Sequence, residues 1–129
     1  MAESRAELAR EVLEALSRGD VERFAALLHP QIEIRTARGV RRGLDDAEEW
    51  ALKRYEHLER RYAIDELRVR GDAVLALVRT QYVWRESGLV GNEEPTAIEL
   101  EFSDGKLIRW IFREDLAGEP GPAGGHRDG

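Results

Sequence analysis

The run Val74-Leu75-Ala76-Leu77-Val78-Arg79-Thr80-Gln81-Tyr82-Val83-Trp84 constrains the fold more than any other segment. Apolar residues occupy both parities, which is the mark of a strand covered on both faces. Its second half nevertheless carries Arg79 and Gln81. A guanidinium in such a strand needs an anion, water or a partner, because an unpaired buried charge is very costly. Two arrangements meet that need. With Leu75, Leu77, Arg79 and Gln81 turned inward beside Ile98, Leu100 and Phe102, Arg79 reaches a ligand or Glu114. With the strand turned over, Val78, Thr80, Tyr82 and Trp84 face inward, and Arg79 and Gln81 sit across from Glu101 and Glu99 as surface pairs.

The remaining periodicities supply the elements around this strand. Ser4-Arg5-Ala6-Glu7 has the form of a capping box, and Leu8, Val12, Ala15 and Leu16 follow at helical spacing until Gly19. Asp20 is placed to cap a second helix with a stripe of Val21, Phe24, Ala25 and Leu28, which Pro30 ends. Ile32, Ile34 and Thr36 alternate with charged residues as a strand, and Gly39 turns the chain into a short return segment ending at Gly43. A third helix carries Ala47, Trp50, Ala51, Tyr55 and Leu58 on its apolar face, with Asp45 and Asp46 favourably placed at its start. Strands over 62–70, 73–85, 96–102 and 106–114 follow. They are separated by Gly71-Asp72, by a loop from Ser87-Gly88 through Gly91-Asn92, and by the hairpin signal Ser103-Asp104-Gly105. Three helices followed by a meander predict an α+β fold with the helices on one face of a curved, mostly antiparallel sheet.

With 129 residues the chain fits one domain. Residues 118–129 hold five of the twelve glycines and two of the four prolines, with almost nothing to bury. They are expected to form a flexible tail after a domain of residues 1–117. A net charge of −6 argues against a nucleic-acid surface, which needs a concentrated basic face. The absence of cysteine removes disulfides, thiolate nucleophiles and cysteine-ligated metals. No apolar run approaches the ~20 residues of a membrane span. The start of the chain lacks the apolar core of a signal peptide, so a cytoplasmic location is the default expectation. His29, His57 and His126 show no metal-ligand spacing, and no metal or organic cofactor is implied.

Several short motifs, in their order and spacing, resemble the SnoaL-like branch of the nuclear transport factor two-like superfamily. They are Glu14-Ala15-Leu16-Ser17-Arg18-Gly19-Asp20, Leu27-Leu28-His29-Pro30, Arg42-Gly43, Gly71-Asp72-Ala73-Val74 and Ser103-Asp104-Gly105-Lys106-Leu107-Ile108-Arg109-Trp110. The resemblance covers about residues 4 to 116. It implies a cone in which helices and a curved sheet enclose an apolar pocket for a small hydrophobic or mildly anionic organic molecule, and it implies a homodimer. The superfamily includes isomerases, cyclases, epoxide hydrolases and proteins without known catalysis, so fold alone does not decide the reaction.

Carried over residue by residue, the resemblance to ketosteroid isomerases fails: Val12, Thr36 and Ile98 stand where the tyrosine, the carboxylate base and the protonated aspartate are needed. The epoxide hydrolase constellation of Asp, Arg and Asp finds its arginine at Arg79, but Gln81 stands where one aspartate is needed and the other falls near Phe112. The cyclases' final-strand acid/base leaves Glu114 and Asp115 as candidates. The catalytic candidates are therefore Arg79, Gln81 and Glu114, with Arg79 assigned to the cavity because that agrees with the resemblance. Val12, Phe24, Thr36, Trp50, Leu77, Ile98, Leu100, Phe102, Trp110 and Phe112 are the expected pocket lining. Val78, Tyr82 and Trp84 are then expected to form an apolar outer patch suited to a dimer surface. Arg35, Arg38, Arg41 and Arg42 cluster near the presumed mouth. They are either a carboxylate or phosphate clamp or a solvated hairpin balanced by Asp45, Asp46 and Glu48. Three functions stay open: a small-molecule binder, a cofactor-independent isomerase, cyclase or hydrolase, and a non-catalytic interaction module.

Overall fold

A computed structural model of the chain describes residues 2–52 and 58–116. Three helices, α1 (Ala2–Arg18), α2 (Val21–Ala26) and α3 (Leu44–Leu52), accompany six strands. The strands are β1 (Leu28–Thr36), β2 (Gly39–Arg42), β3 (Leu58–Arg70), β4 (Ala73–Trp84), β5 (Val90–Ser103) and β6 (Lys106–Phe112), and a 3-10 turn (Glu114–Leu116) follows them. The sheet order is β2-β1-β6-β5-β4-β3, with only β1 and β6 parallel. Register shifts interrupt the ladders, including one between Ile64 and Glu66 on β3. Such bulges bend and twist a sheet. This one is curved and unclosed, and the helices fill its concave side, the predicted α+β arrangement.

Local chemistry accounts for the junctions. The Asp20 carboxylate accepts a hydrogen bond from the Arg23 amide at 3.0 Å, closing the start of α2. Asp104 and Gly105 both have positive φ, 54° and 75°, which is the mirror-image turn that joins tightly paired strands such as β5 and β6. Several boundaries differ from the sequence expectation. Backbone helix begins at Ala2, so Ser4 lies inside α1 rather than before it. The second helix stops at Ala26, and Leu28 and Pro30 already belong to β1. Pro30 lies in the irregular stretch between Leu28 and Glu33 where the β1–β6 register shifts, so its missing N–H costs no ladder bond there. Leu58 opens β3 rather than closing α3. β5 starts at Val90, shortening the expected loop. Tyr55, His57 and the proposed tail of 118–129 lie outside the described residues.

The main core lies between the helices and the concave face. Ala9, Val12, Leu13, Phe24, Ile32, Ile34, Val74, Ala76, Val78, Leu100 and Trp110 are buried together there. The register sets the inner face of β4. Val74 pairs with Leu100, Ala76 with Ile98 and Val78 with Thr96. Leu75 and Leu77 therefore point to the convex side, where they pack with Ala97 and are covered by Leu116 of the 3-10 turn. β4 is covered on both faces, as its composition requires, but by two different parts of the chain.

This register corrects the assignment of Arg79 to the cavity. Arg79 and Gln81 lie on the convex face with Leu77. The Arg79 guanidinium donates to Asp65 at 3.0 Å and to Glu93 at 3.3 Å, and Gln81 donates to the same Glu93 carboxylate at 2.7 Å. The partners are Asp65 and Glu93, not the Glu99 and Glu101 of the alternative reading. Glu99 and Glu101 instead accept from Arg113 and Arg109 at 2.6 Å each. The expected outer patch is corrected by the same fact. Val78 is buried in the main core and Tyr82 faces inward, leaving Trp84 as the exposed member.

Candidate functional site

Along the inner face of β4 the residues read Val74, Ala76, Val78, Thr80, Tyr82. The first three lie under the helices, whereas Thr80 and Tyr82 line a cavity of about 800 Å³. Neighbouring strands change character at the same level. On β5 the inner row runs Leu100, Ile98, Thr96, Glu94, and on β3 it runs Ile64, Tyr62, Arg60. The cone is thus solid at the helix-covered end and hollow toward the β1–β2 hairpin. The volume lies within the ~300–1,000 Å³ typical of small-molecule sites.

Ile98, Trp110 and Phe112 form the apolar floor. Trp50 of α3 forms a wall, with its ring edge-on to Trp110 at 5.2 Å between centroids. Tyr62 extends the aromatic row, 5.9 Å from Trp110. Behind Trp50 stands Phe24 at 6.1 Å, which ties the wall to the helical core. Among the described residues, the buried polar side chains are Thr80 and Thr96, only 5% and 8% exposed. Their hydroxyls are 2.7 Å apart, and Thr96 also donates to the Glu94 carbonyl at 3.3 Å. A hydroxyl carries one proton. When Thr96 donates to Glu94, Thr80 donates to Thr96 and offers lone pairs to the cavity. When Thr96 donates to Thr80, the Thr80 proton is released toward the cavity. The pair can therefore serve either a donor or an acceptor on a ligand.

The rim is polar. The β1–β2 hairpin turns through Ala37 and Arg38, with the Arg38 amide donating to the Thr36 hydroxyl at 3.2 Å. Arg41 is committed to Asp46 at 3.1 Å and Glu49 at 3.2 Å, and Asp46 also accepts the Arg42 amide at 3.2 Å. These contacts bind the hairpin to the first turns of α3. Arg60 of β3 lies over the Trp50 ring, 5.6 Å from its centroid. Glu94 completes the rim on β5.

Of the expected lining, Thr36, Trp50, Ile98, Trp110 and Phe112 border the cavity. Val12, Phe24, Leu100 and Phe102 are buried in the main core instead, where the helices leave no free space. Leu77 is on the convex side. Glu114 begins the 3-10 turn beyond β6, and its side chain lies outside the described residues. Thr80 and Tyr82 face inward as in the alternative reading of the strand, whereas Thr96, Tyr62, Arg60 and Glu94 were not among the expected pocket residues. His29 is fixed elsewhere, its Nδ1 accepting the Gln31 amide at 3.0 Å. Carboxylates with shifted acidity also lie away from the cavity. Glu33 is held below its usual range chiefly by the Arg35 guanidinium, Glu66 by Arg68 and Asp115 by Arg113. Among the described residues no group of three His, Asp or Glu side chains is arranged to hold a metal ion, and no helix is long and apolar enough to cross a membrane.

A bent antiparallel layer wrapped around three helices, hollow at one end, defines the α+β cone class. A profile of the SnoaL-like domain matches residues 9–110, and the chain belongs to that family. None of the curated proteins matches the sequence. Solved structures match the fold. A candidate polyketide cyclase from Xanthomonas campestris superposes with a TM-score of 0.75 at 16% identity, over 86% of this chain and 90% of that one. A cystatin-fold protein from Novosphingobium aromaticivorans gives 0.72 at 16%, over 85% and 97%. A protein of ketosteroid isomerase-like fold from Catenulispora acidiphila, solved with trimethylamine, gives 0.71 at 13%, over 83% and 84%. At such identities the likeness establishes the fold, and the chemistry has to be argued from the site.

Proposed function

We propose that the protein binds a small, planar, largely apolar organic molecule in the hollow end of the cone. One observation carries this reading. The inner faces of β3, β4 and β5 change from core residues to Tyr62, Thr80 and Thr96 at one level, and an open volume of about 800 Å³ begins there. A side-chain-filled interaction module has no need of that volume. Ile98, Trp110 and Phe112 would support the flat body of the ligand, and the Thr80–Thr96 hydroxyls would meet a carbonyl or hydroxyl on it. Arg79 and Gln81 turn away from this volume, so they are not part of the proposed site.

Anthracene-2-carboxamide is a suitable neutral probe, because Trp50 and Trp110 are close enough to transfer excitation to a bound anthracene. Saturable quenching of tryptophan emission, with a matching rise in thermal stability, is expected. An absence of both at the probe's solubility limit refutes the reading.

A further inference from the structure

The rim of the cavity carries an unbalanced charge. Three arginines and two carboxylates line it: Arg38, Arg41 and Arg60 against Asp46 and Glu94. Arg41 and Asp46 consume one another. Arg35 and Arg42, the other members of the sequence cluster, are both drawn to Glu33 outside the cavity. Among the described residues Arg38 is the member of that cluster with no carboxylate partner, and Arg60 joins it from β3.

Arg60 is the unusual one. Among the described residues Arg10, Arg18, Arg70 and Arg85 also have no carboxylate partner, but all four are exposed to water. Arg60 is half-buried and contacts the Trp50 ring, with no ion pair among the described residues. A half-buried guanidinium with no carboxylate partner among the described residues leaves its charge to be met by the ring, by water or by a ligand in the cavity. The indole contact, 5.6 Å from the ring centroid, is a cation–π attraction and not a hydrogen bond, so the guanidinium's fork of N–H donors can serve a planar acceptor.

Resting on the reading above, we propose that the ligand is a monoanionic carboxylic acid. Its carboxylate is taken at the rim by Arg60, with Arg38 of the hairpin tip assisting, while its flat apolar body lies against Ile98, Trp110 and Phe112. With Arg41 held by Asp46 and Glu49, Arg38 and Arg60 are the rim guanidiniums left to meet one carboxylate.

The test compares anthracene-2-carboxylate with its neutral amide at pH 7. The carboxylate is expected to bind the parent protein about tenfold more tightly than the amide, the scale of one charge-assisted hydrogen-bonded contact. Arg60→Gln should erase that preference, read as the ratio of acid to amide affinity in the same variant, and Arg60→Lys should restore part of it. Arg38→Gln, at an exposed turn where folding is not at risk, should lower the ratio of acid to amide affinity. Equal binding of acid and amide by the parent would overturn the carboxylate proposal and leave the cavity reading standing. Failure of both to bind would remove the two together. A preference that survives both Gln substitutions, or tighter binding of anthracene-2-phosphate than of the carboxylate, would also overturn the proposal.

Discussion

Replacing the two threonine hydroxyls that border the cavity gives a thermodynamic cycle whose outcome can be worked out in advance. Valine is nearly isosteric with threonine and equally suited to a strand, so Thr80→Val removes a hydroxyl and little else. Its partner, the Thr96 hydroxyl at 2.7 Å, keeps the Glu94 carbonyl at 3.3 Å and is not left bare. The loss should therefore fall at about 0.5–1.5 kcal/mol, the net worth of one ordinary hydrogen bond. For a chain of this size that is a fall in Tm of roughly 2–5 °C. Thr96→Val should cost a similar amount, because it leaves the Thr80 hydroxyl with water in the cavity as its remaining partner. The double substitution removes donor and acceptor together, and should cost about 1 kcal/mol less than the sum of the singles. It should also weaken binding of anthracene-2-carboxamide. Urea unfolding of the four proteins measures the cycle. Strict additivity, or a double variant with undiminished probe affinity, would refute the idea that the pair is a coupled ligand contact.

Two further outcomes test the placement of charges. Arg79→Ala should lower stability by less than about 1 kcal/mol, as for other exposed ion pairs, and should leave probe affinity unchanged; a drop in affinity measured by fluorescence titration would put the arginine back in the site. Glu33 has a folded-state pKa below the ordinary glutamate value of 4.5, so its stabilising contribution is complete above that pH and is lost as pH falls through its lowered pKa. Glu33→Gln should therefore be less stable than the parent at pH 7 and converge with it in strong acid, a trend that thermal unfolding across pH would show or contradict.

Much of the architecture is readable in the chain. Asp20 as a cap, Ser103-Asp104-Gly105 as a turn and the two-faced apolar run at Val74–Trp84 each have a local cause, and each keeps its place in the fold. The short-range signals that misled concern edges. Leu28 and Leu58 fit the period of the preceding helices, yet tertiary pairing with β6 and β4 takes them into strands. The face of β4 was also within reach. Alternation along β4 and β5 pairs Ala76 with Ile98, so an inward Ile98 requires an outward Arg79; the resemblance suggested the opposite face. A slip of one residue exchanges the two faces of a strand, which is why motif matching is weak at this point.

The cavity itself was legible only in part. Apolar residues such as Ile98 and Trp110 look alike in sequence whether they line a hollow or fill a core. Thr80 and Thr96 held the better signal, a polar residue on the inner face of each strand at the level where the packing stops. Arg60 could not be recognised without coordinates, because its distinction lies in what surrounds it. The four arginines of the hairpin could be counted in the sequence, but which of them are neutralised depends on the approach of Glu33, Asp46 and Glu49.

Amide chemical-shift mapping with anthracene-2-carboxylate addresses the hollow cone most directly. Saturable shifts should concentrate at Tyr62, Thr80, Thr96, Ile98 and Trp110, with Leu75, Leu77, Arg79 and Gln81 on the convex face unmoved. Shifts confined to the convex face, or none at all, would contradict the central claim that this protein holds its ligand inside the cone.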